Sequence, residues 1–274
     1  MWASTPTILL LTLNDYKYII RTEILIWRFS MKYNRILLKL SGGALASENG
    51  FGFDQGKLDK ITDTIIKASN AGVEVSVLVG GGNILRGKTA DYWNIERAEA
   101  DNIGMLATII NSLILRGVLT SKGCEKVRVM TAMPIDAVAE PYIRLKAIDH
   151  LDKGQIVIFG GGIGQPFVTT DYPSVQRAIE IRADAVFMAK QGTDGVYDSN
   201  PNENPKAKKF ASITYDDVIA KDLKVADQSA FILAKDYKMP MYVFDFTEDD
   251  SITRICQGEE LGTYIGPDCE TKLA

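Results

Sequence analysis

The feature that most restricts what this chain can become is a series of short runs that are apolar on nearly every position instead of on alternate ones. Arg35–Leu40, Val73–Val79, Val127–Thr131, Ile156–Phe159, Ala185–Ala189 and Met241–Asp245 all have this character. A strand with one wet face alternates, whereas a strand covered on both faces does not need to. Between the runs lie segments with apolar residues at three- and four-residue spacing. Leu58–Ala71, closed by Gly72, and the stretch from Asn94 to about Lys122 are the longest. Strands covered on both faces and alternating with helices predict a mainly parallel central sheet, a three-layer α/β/α sandwich. Further helices are expected at Tyr215–Ala220, Ala226–Tyr237 and Ser251–Gln257, with a closing strand at Leu261–Ile265. Thr214, three residues before Asp217, has the spacing of a helix cap.

Four of the apolar runs flow into turn-forming loops. Ser41-Gly-Gly43 follows the first, Gly80-Gly-Gly-Asn-Ile-Leu-Arg86 the second, and Gly160-Gly-Gly-Ile-Gly-Gln-Pro-Phe-Val-Thr-Thr-Asp171 the fourth. Lys190 to Pro201, dense in Gly, Asp and Asn, follows the fifth. In a parallel sheet these loops share one rim, the rim where open α/β sheets bind ligands. Glycine lets the backbone approach an anion, and free N–H groups at a helix start hold it there. Repeated along one chain, this pattern points to phosphate. Lys39, inside an apolar strand end, aims an ammonium at the same rim, and Arg86 adds planar, permanently charged donors. Read by spacing alone, Asp101 belongs to a solvated acidic helix face, beside Glu96 and Glu99. No Gly, four residues, Gly-Lys-Ser/Thr run occurs, so the ordinary P-loop is excluded.

Composition narrows the partners. A net charge of -4 gives no general grip on nucleic acid. Cys124, Cys256 and Cys269 are scattered, without the close pairs of a zinc site or disulfide framework, which fits a reduced cytoplasmic setting. Residues 1–30 are apolar but interrupted by Lys17, Arg21, Glu23 and Arg28, so a membrane span is not expected there. They are read as an extension, disordered or upstream of the true start. Residues 31–266 are read as a single domain and 267–274 as a tail.

Taken together, Lys39-Leu-Ser-Gly42, Gly80-Gly-Gly-Asn-Ile-Leu-Arg86, Asp101-Asn-Ile-Gly-Met-Leu-Ala-Thr108, Gly164-Gln-Pro-Phe-Val-Thr-Thr-Asp171 and Asp194-Gly-Val-Tyr197 resemble the amino acid kinase family, in particular its branch that phosphorylates uridine monophosphate. The resemblance runs from about Lys32 to Ile265. It implies phosphoryl transfer from ATP, with Mg2+, to UMP, giving ADP and UDP, with Lys39, Arg86 and Asp171 as the catalytic groups. It also implies that Lys39, Leu40, Ser41, Gly42, Gly82, Arg86, Gln191, Tyr197 and Asn200 bind ATP. Gly81, Asp101 and the loop of Ile163, Gly164, Gln165, Pro166, Phe167, Val168, Thr169 and Thr170 would hold UMP. No protein-bound metal site is implied. A homohexamer is, with GTP as activator, UTP as inhibitor and Arg116 in the subunit-contact and effector region. The chain departs from the pattern at Gly43, where the family usually has glutamate, and at Asn200, where aspartate is common. Two rivals remain open: a kinase of the same family acting on a carboxylate or carbamate, and a non-catalytic oligomeric nucleotide or oxyanion binder.

Overall fold

The computed structural model describes residues 31–274, and within them only the backbone of residues 87 and 88. The expectations for residues 1–30 therefore lie outside the described residues. Strands β1 (Arg35–Leu40), β2 (Glu74–Val79), β3 (Val127–Thr131), β5 (Ile156–Gly160), β6 (Ala185–Lys190) and β8 (Met241–Asp245) form where the apolar runs predict them. Three more were not foreseen: β4 (Glu140–Pro141), β7 (Phe210–Ile213) and β10 (Lys272–Leu273). With β9 (Thr263–Ile265) they make one sheet in the order β10-β7-β9-β8-β6-β1-β2-β5-β3-β4. All pairings are parallel except β8 with β9 and β10 with β7. The stretch after Pro267, expected only as a tail, thus supplies an edge strand.

The helices are α1 (Gln55–Asn70), α2 (Gly87–Tyr92), α3 (Arg97–Ser121), α4 (Arg144–Asp152), α5 (Asp171–Glu180), α6 (Tyr215–Ala220), α7 (Gln228–Asp236) and α8 (Ser251–Cys256). The one long helix expected from Asn94 begins three residues later, after a short separate helix; Asn94 has a positive φ of 54°, which a helix interior does not accept. Helices α1, α3 and α8 cover one face of the sheet through Leu58, Ile61, Ile65, Leu115, Leu119 and Ile255. The other face is covered by α4, α5, α6 and α7 through Leu151, Val175, Val218 and Phe231. Length and apolarity alone would let α3 cross a membrane, but Met105, Ile109, Leu115 and Leu119 are buried in the molecule, the last two against the sheet.

Strand alternation then decides where the lysines point. Ile36, Leu38 and Leu40 belong to the core under α1 and α3, and Leu37 to the core under α5 and α7. Lys39, two residues on, shares the side of Leu37. The same counting on β6 puts Lys190 on the side of Val186 and Met188. β1 and β6 are adjacent and parallel, with Lys39 opposite Met188 and Leu40 opposite Ala189, so two lysines end neighbouring strands on one face.

Candidate active site

The loops at the C-terminal ends of the strands press on one another. A Cβ added to Gly42 would lie 2.3 Å from the backbone nitrogen of Gly82, and one on Gly80 would lie 3.0 Å from the nitrogen of Gly42 and 3.3 Å from Thr170 Oγ1. The loops after β1 and β2 therefore meet at backbone distance, which only glycine permits, and the Thr170 hydroxyl of the loop after β5 packs against them. Two buried asparagines tie them to α3. Asn111 Nδ2 donates to Gly80 O at 2.7 Å and to Asn83 Oδ1 at 2.6 Å, and Asn83 Nδ2 donates to Gly52 O at 3.0 Å. On the same helix, Thr108 Oγ1 accepts from Gly161 N at 2.7 Å.

Lys39 is 6% exposed, and its Nζ sits 2.5 Å from Asp171 Oδ1. Asp171 is the first residue of α5, where the exposed N–H groups and the helix dipole favour a carboxylate. Lys190 Nζ donates to Val225 O at 2.9 Å. Burial, reinforced by the nearby Lys39 and opposed by Asp171, holds the Lys190 ammonium below the ordinary lysine pKa. Asp227 receives a hydrogen bond from Thr169 Oγ1, and its own backbone N–H donates to Asp171 Oδ2 at 3.2 Å. Among the described residues no group of three or more His, Cys, Asp or Glu converges.

Two cavities are lined by neighbours of this pair, Thr170 in one and Lys190 in the other, though not by Lys39 or Asp171 themselves. One, of about 390 Å³, is walled by Gly81, Gly82, Arg86, Asp101, Thr169 and Thr170, among others. Its walls also include Ile163, Gln165 and Val168 from the expected acceptor residues. Gly164, Pro166 and Phe167 do not line it: Phe167 is 68% exposed, and its backbone N–H donates to Asp101 Oδ2 at 2.8 Å. Asp101, which spacing alone assigns to a solvated face, is thus turned into the loop and also carries Arg97 at 2.9 Å. The second cavity, of about 600 Å³, is lined by Lys190, Tyr197 and Asn200 and by residues 221–225.

The residues expected to bind ATP are divided between the two cavities and the loops around them. Gly82 and Arg86 line the smaller cavity, and the Arg86 guanidinium donates to Gly82 O and Gly50 O, each at 3.2 Å, above the ring of Phe51. Gln191 is exposed and lines neither cavity. The Leu40 side chain is fully buried in the core, leaving only its backbone at the rim, where its carbonyl accepts from Gly80 N at 2.8 Å. Ser41 Oγ accepts from Ala44 N, which starts a short 3-10 turn over Gly42–Ala44. Lys190, Asp227, Thr108 and the asparagine pair were not foreseen. Lys190 was legible, because it ends an apolar strand as Lys39 does. Asn83 lies in the glycine loop after β2, but its partner Asn111 and Thr108 come from α3 and Asp227 from the start of α7, positions without a local signal.

Comparison with known proteins gives the family. The chain is 56% identical over 234 residues to a uridylate kinase of Frankia alni, an alignment covering 85% of this chain and 91% of that one. The crystal structure of a UMP kinase from Bacillus anthracis superposes with a TM-score of 0.86 at 56% identity, covering 88% of this chain and 99% of that one. A UMP kinase from Ureaplasma parvum gives a TM-score of 0.80 at 32% identity, over 86% and 100% of the two chains. A profile of the amino acid kinase family matches residues 34–245, the span that carries the converging glycine loops and the Lys39–Asp171 pair, and the chain belongs to that family.

Proposed function

We propose that this chain is an enzyme that transfers the γ-phosphoryl group of ATP to the 5′-phosphate of UMP, releasing ADP and UDP for pyrimidine nucleotide synthesis. The observation that supports the reading is the buried Lys39–Asp171 pair, whose neighbours reach two separate cavities. Thr170, next to Asp171, walls the smaller cavity, and Lys190, which senses the charges of both members, walls the larger. UMP is assigned to the smaller cavity and ATP to the larger.

An oxygen of the acceptor phosphate attacks the γ-phosphorus. The bond from that phosphorus to the β,γ-bridging oxygen breaks, and its electron pair leaves with ADP. The acceptor oxygen is ionised near neutral pH, so no general base is required, and catalysis rests on alignment and charge neutralisation. Asp171 holds and aims Lys39 through their ion pair, and Lys39 and Lys190 meet the charge that spreads over the transferring group. Arg86, on the acceptor wall, is assigned to phosphate oxygens at the junction. Gly42 and Ser41 bring backbone against the donor phosphates, and Tyr197 and Asn200 line the place of the adenosine. Asp101 accepts from the ribose of UMP. Magnesium, bound with the nucleotide phosphates, would supply further charge neutralisation.

Self-association as a homohexamer belongs to the same reading. Leu106 and Ile110 stand 42% and 46% exposed, one turn apart on α3, an apolar stripe suited to a second copy. Arg116, further along α3, and Arg128 line a separate cavity of about 660 Å³, where the phosphates of a GTP activator would meet two guanidinium groups. UTP inhibition completes the proposal. A cytoplasmic location rests on Cys124, Cys256 and Cys269 all being free thiols. The test is ADP release with UMP, CMP, AMP and carboxylate acceptors side by side. Turnover with UMP well above the rest is expected; preference for a carboxylate, or no turnover, would overturn the assignment.

A further inference from the structure

Arg177 lies on α5, six residues beyond Asp171, and is 6% exposed although nothing in the proposed reaction uses it. Its guanidinium lies over the ring of Tyr142, 3.7 Å from the centroid. Nη1 donates to Glu180 Oε2 at 2.6 Å, and Nη2 donates to the carbonyl of Gly162 at 3.2 Å. Glu180 is saturated in turn: Tyr142 Oη donates to Oε2 at 2.5 Å and Gln176 Nε2 to Oε1 at 2.8 Å. Burial by itself would raise the Glu180 carboxyl, but these hydrogen bonds hold it below the ordinary range, while burial and Glu180 keep the Tyr142 hydroxyl protonated.

An Arg–Glu pair with its arginine buried and its carboxylate half-buried is weak evidence for stability, because well-packed apolar residues of the same size often do as well. What this one delivers outside itself is a single bond, to Gly162. That carbonyl belongs to a turn in which Gly161, Gly162 and Gly164 have φ of 77°, 56° and 76°, the left-handed region. Gly162 and Ile163 are both walls of the smaller cavity. The turn is clamped from one side by Thr108, which accepts from Gly161 N, and from the other by Arg177. Glycines give the turn its shape and also leave it free to take others.

We propose that Arg177 is a positioning residue for the acceptor nucleotide: stacked on Tyr142 and locked by Glu180, it fixes the Gly161–Gly164 turn in the conformation that shapes the acceptor cavity. The assignment of that cavity to the acceptor rests on the function proposed above. The role is specific to arginine. A lysine keeps the charge opposite Glu180, but one ammonium does not lie flat on the ring, hold the carboxylate and reach the carbonyl together.

The test compares wild type with Arg177→Lys in the full chain, by steady-state kinetics and by amide hydrogen exchange without substrate. In the variant, the acceptor KM is expected to rise about tenfold, as for loss of a hydrogen bond from a charged donor, with the ATP KM unchanged. Exchange at Gly161–Gly164 rises by a similar factor, while exchange in the β1 and β2 amides stays put. Equal changes in both KM values, or unchanged exchange at the turn, would overturn the proposal. Should Arg177→Lys fail to fold, Tyr142→Phe decides: it keeps the ring under the guanidinium but unties Glu180. A rise of about twofold in the acceptor KM, with faster exchange at the turn, is then expected, and no change in either overturns the idea. The exchange result needs no substrate, so it stands apart from whether wild type turns over UMP at all.

Discussion

Asp171→Asn removes one charge from the pair on which the proposed chemistry turns, and it changes almost no volume. Side-chain exposure is 8% for Lys39 and 15% for Asp171, so screening by water is slight and the pair counts as buried. Removing one partner of such a pair costs about 3–5 kcal/mol, because an uncompensated charge is left behind. Here the orphaned ammonium would also face Lys190, whose pKa the Lys39 charge already depresses. Asparagine retains an acceptor oxygen, so the lower end, about 3 kcal/mol of stability, is the expectation. Turnover should fall by about 100- to 1000-fold, the usual loss when a preorganised donor is no longer aimed. The assays are urea unfolding and coupled ADP release with UMP. Lys39→Met combined with Asp171→Leu separates the two effects. An apolar pair should regain stability to within about 1 kcal/mol of wild type and still lack activity. Turnover of the single variant within about threefold of wild type, or recovery in the double variant, would refute the reasoning.

Gly42→Ala should lower stability by about 1–3 kcal/mol and depress activity, since its Cβ would sit 2.3 Å from the backbone nitrogen of Gly82 and 2.9 Å from that of Asn83, forcing the loop to shift; an unchanged melting temperature would count against convergence of the loops. Because burial lowers the Lys190 pKa, this group loses its charge at lower pH than an ordinary lysine, so turnover should decline early on the alkaline side. Lys190→Arg should move that decline to higher pH, read from a pH profile of kcat. The sign for stability is opposite: the native state binds this proton less tightly than the unfolded chain, so the cost is present at neutral pH and vanishes as pH rises past the unfolded value. Lys190→Met should therefore be no less stable than wild type at pH 7 in urea unfolding, while losing turnover. Asp227→Ala, which frees Thr169 and loosens the N–H contact to Asp171, should raise the acceptor KM by about tenfold, measured against an unchanged ATP KM. Leu106→Glu with Ile110→Glu should reduce the assembly size seen by light scattering, with the fold intact by circular dichroism.

The apolar runs determined the strands, and with them the parallel sheet, because burial on both faces leaves a mark on every consecutive residue. Lys39 and the glycine loops were legible for the same reason: a charge inside an apolar run and a glycine after a strand are local anomalies that need no knowledge of the fold. Strands β4, β7 and β10 were missed because strands of two and four residues, at or next to the sheet edges, are held by their neighbours and leave almost no periodicity. Only the tertiary structure decided which distant residues serve the rim. Asp227 meets Thr169 across 58 positions, Thr108 meets Gly161 across 53, and Arg86 lines one cavity with Asp101, Thr169 and Thr170. Periodicity says which face of an element is covered, but helix crossing and loop packing choose what the polar residues on that face will touch.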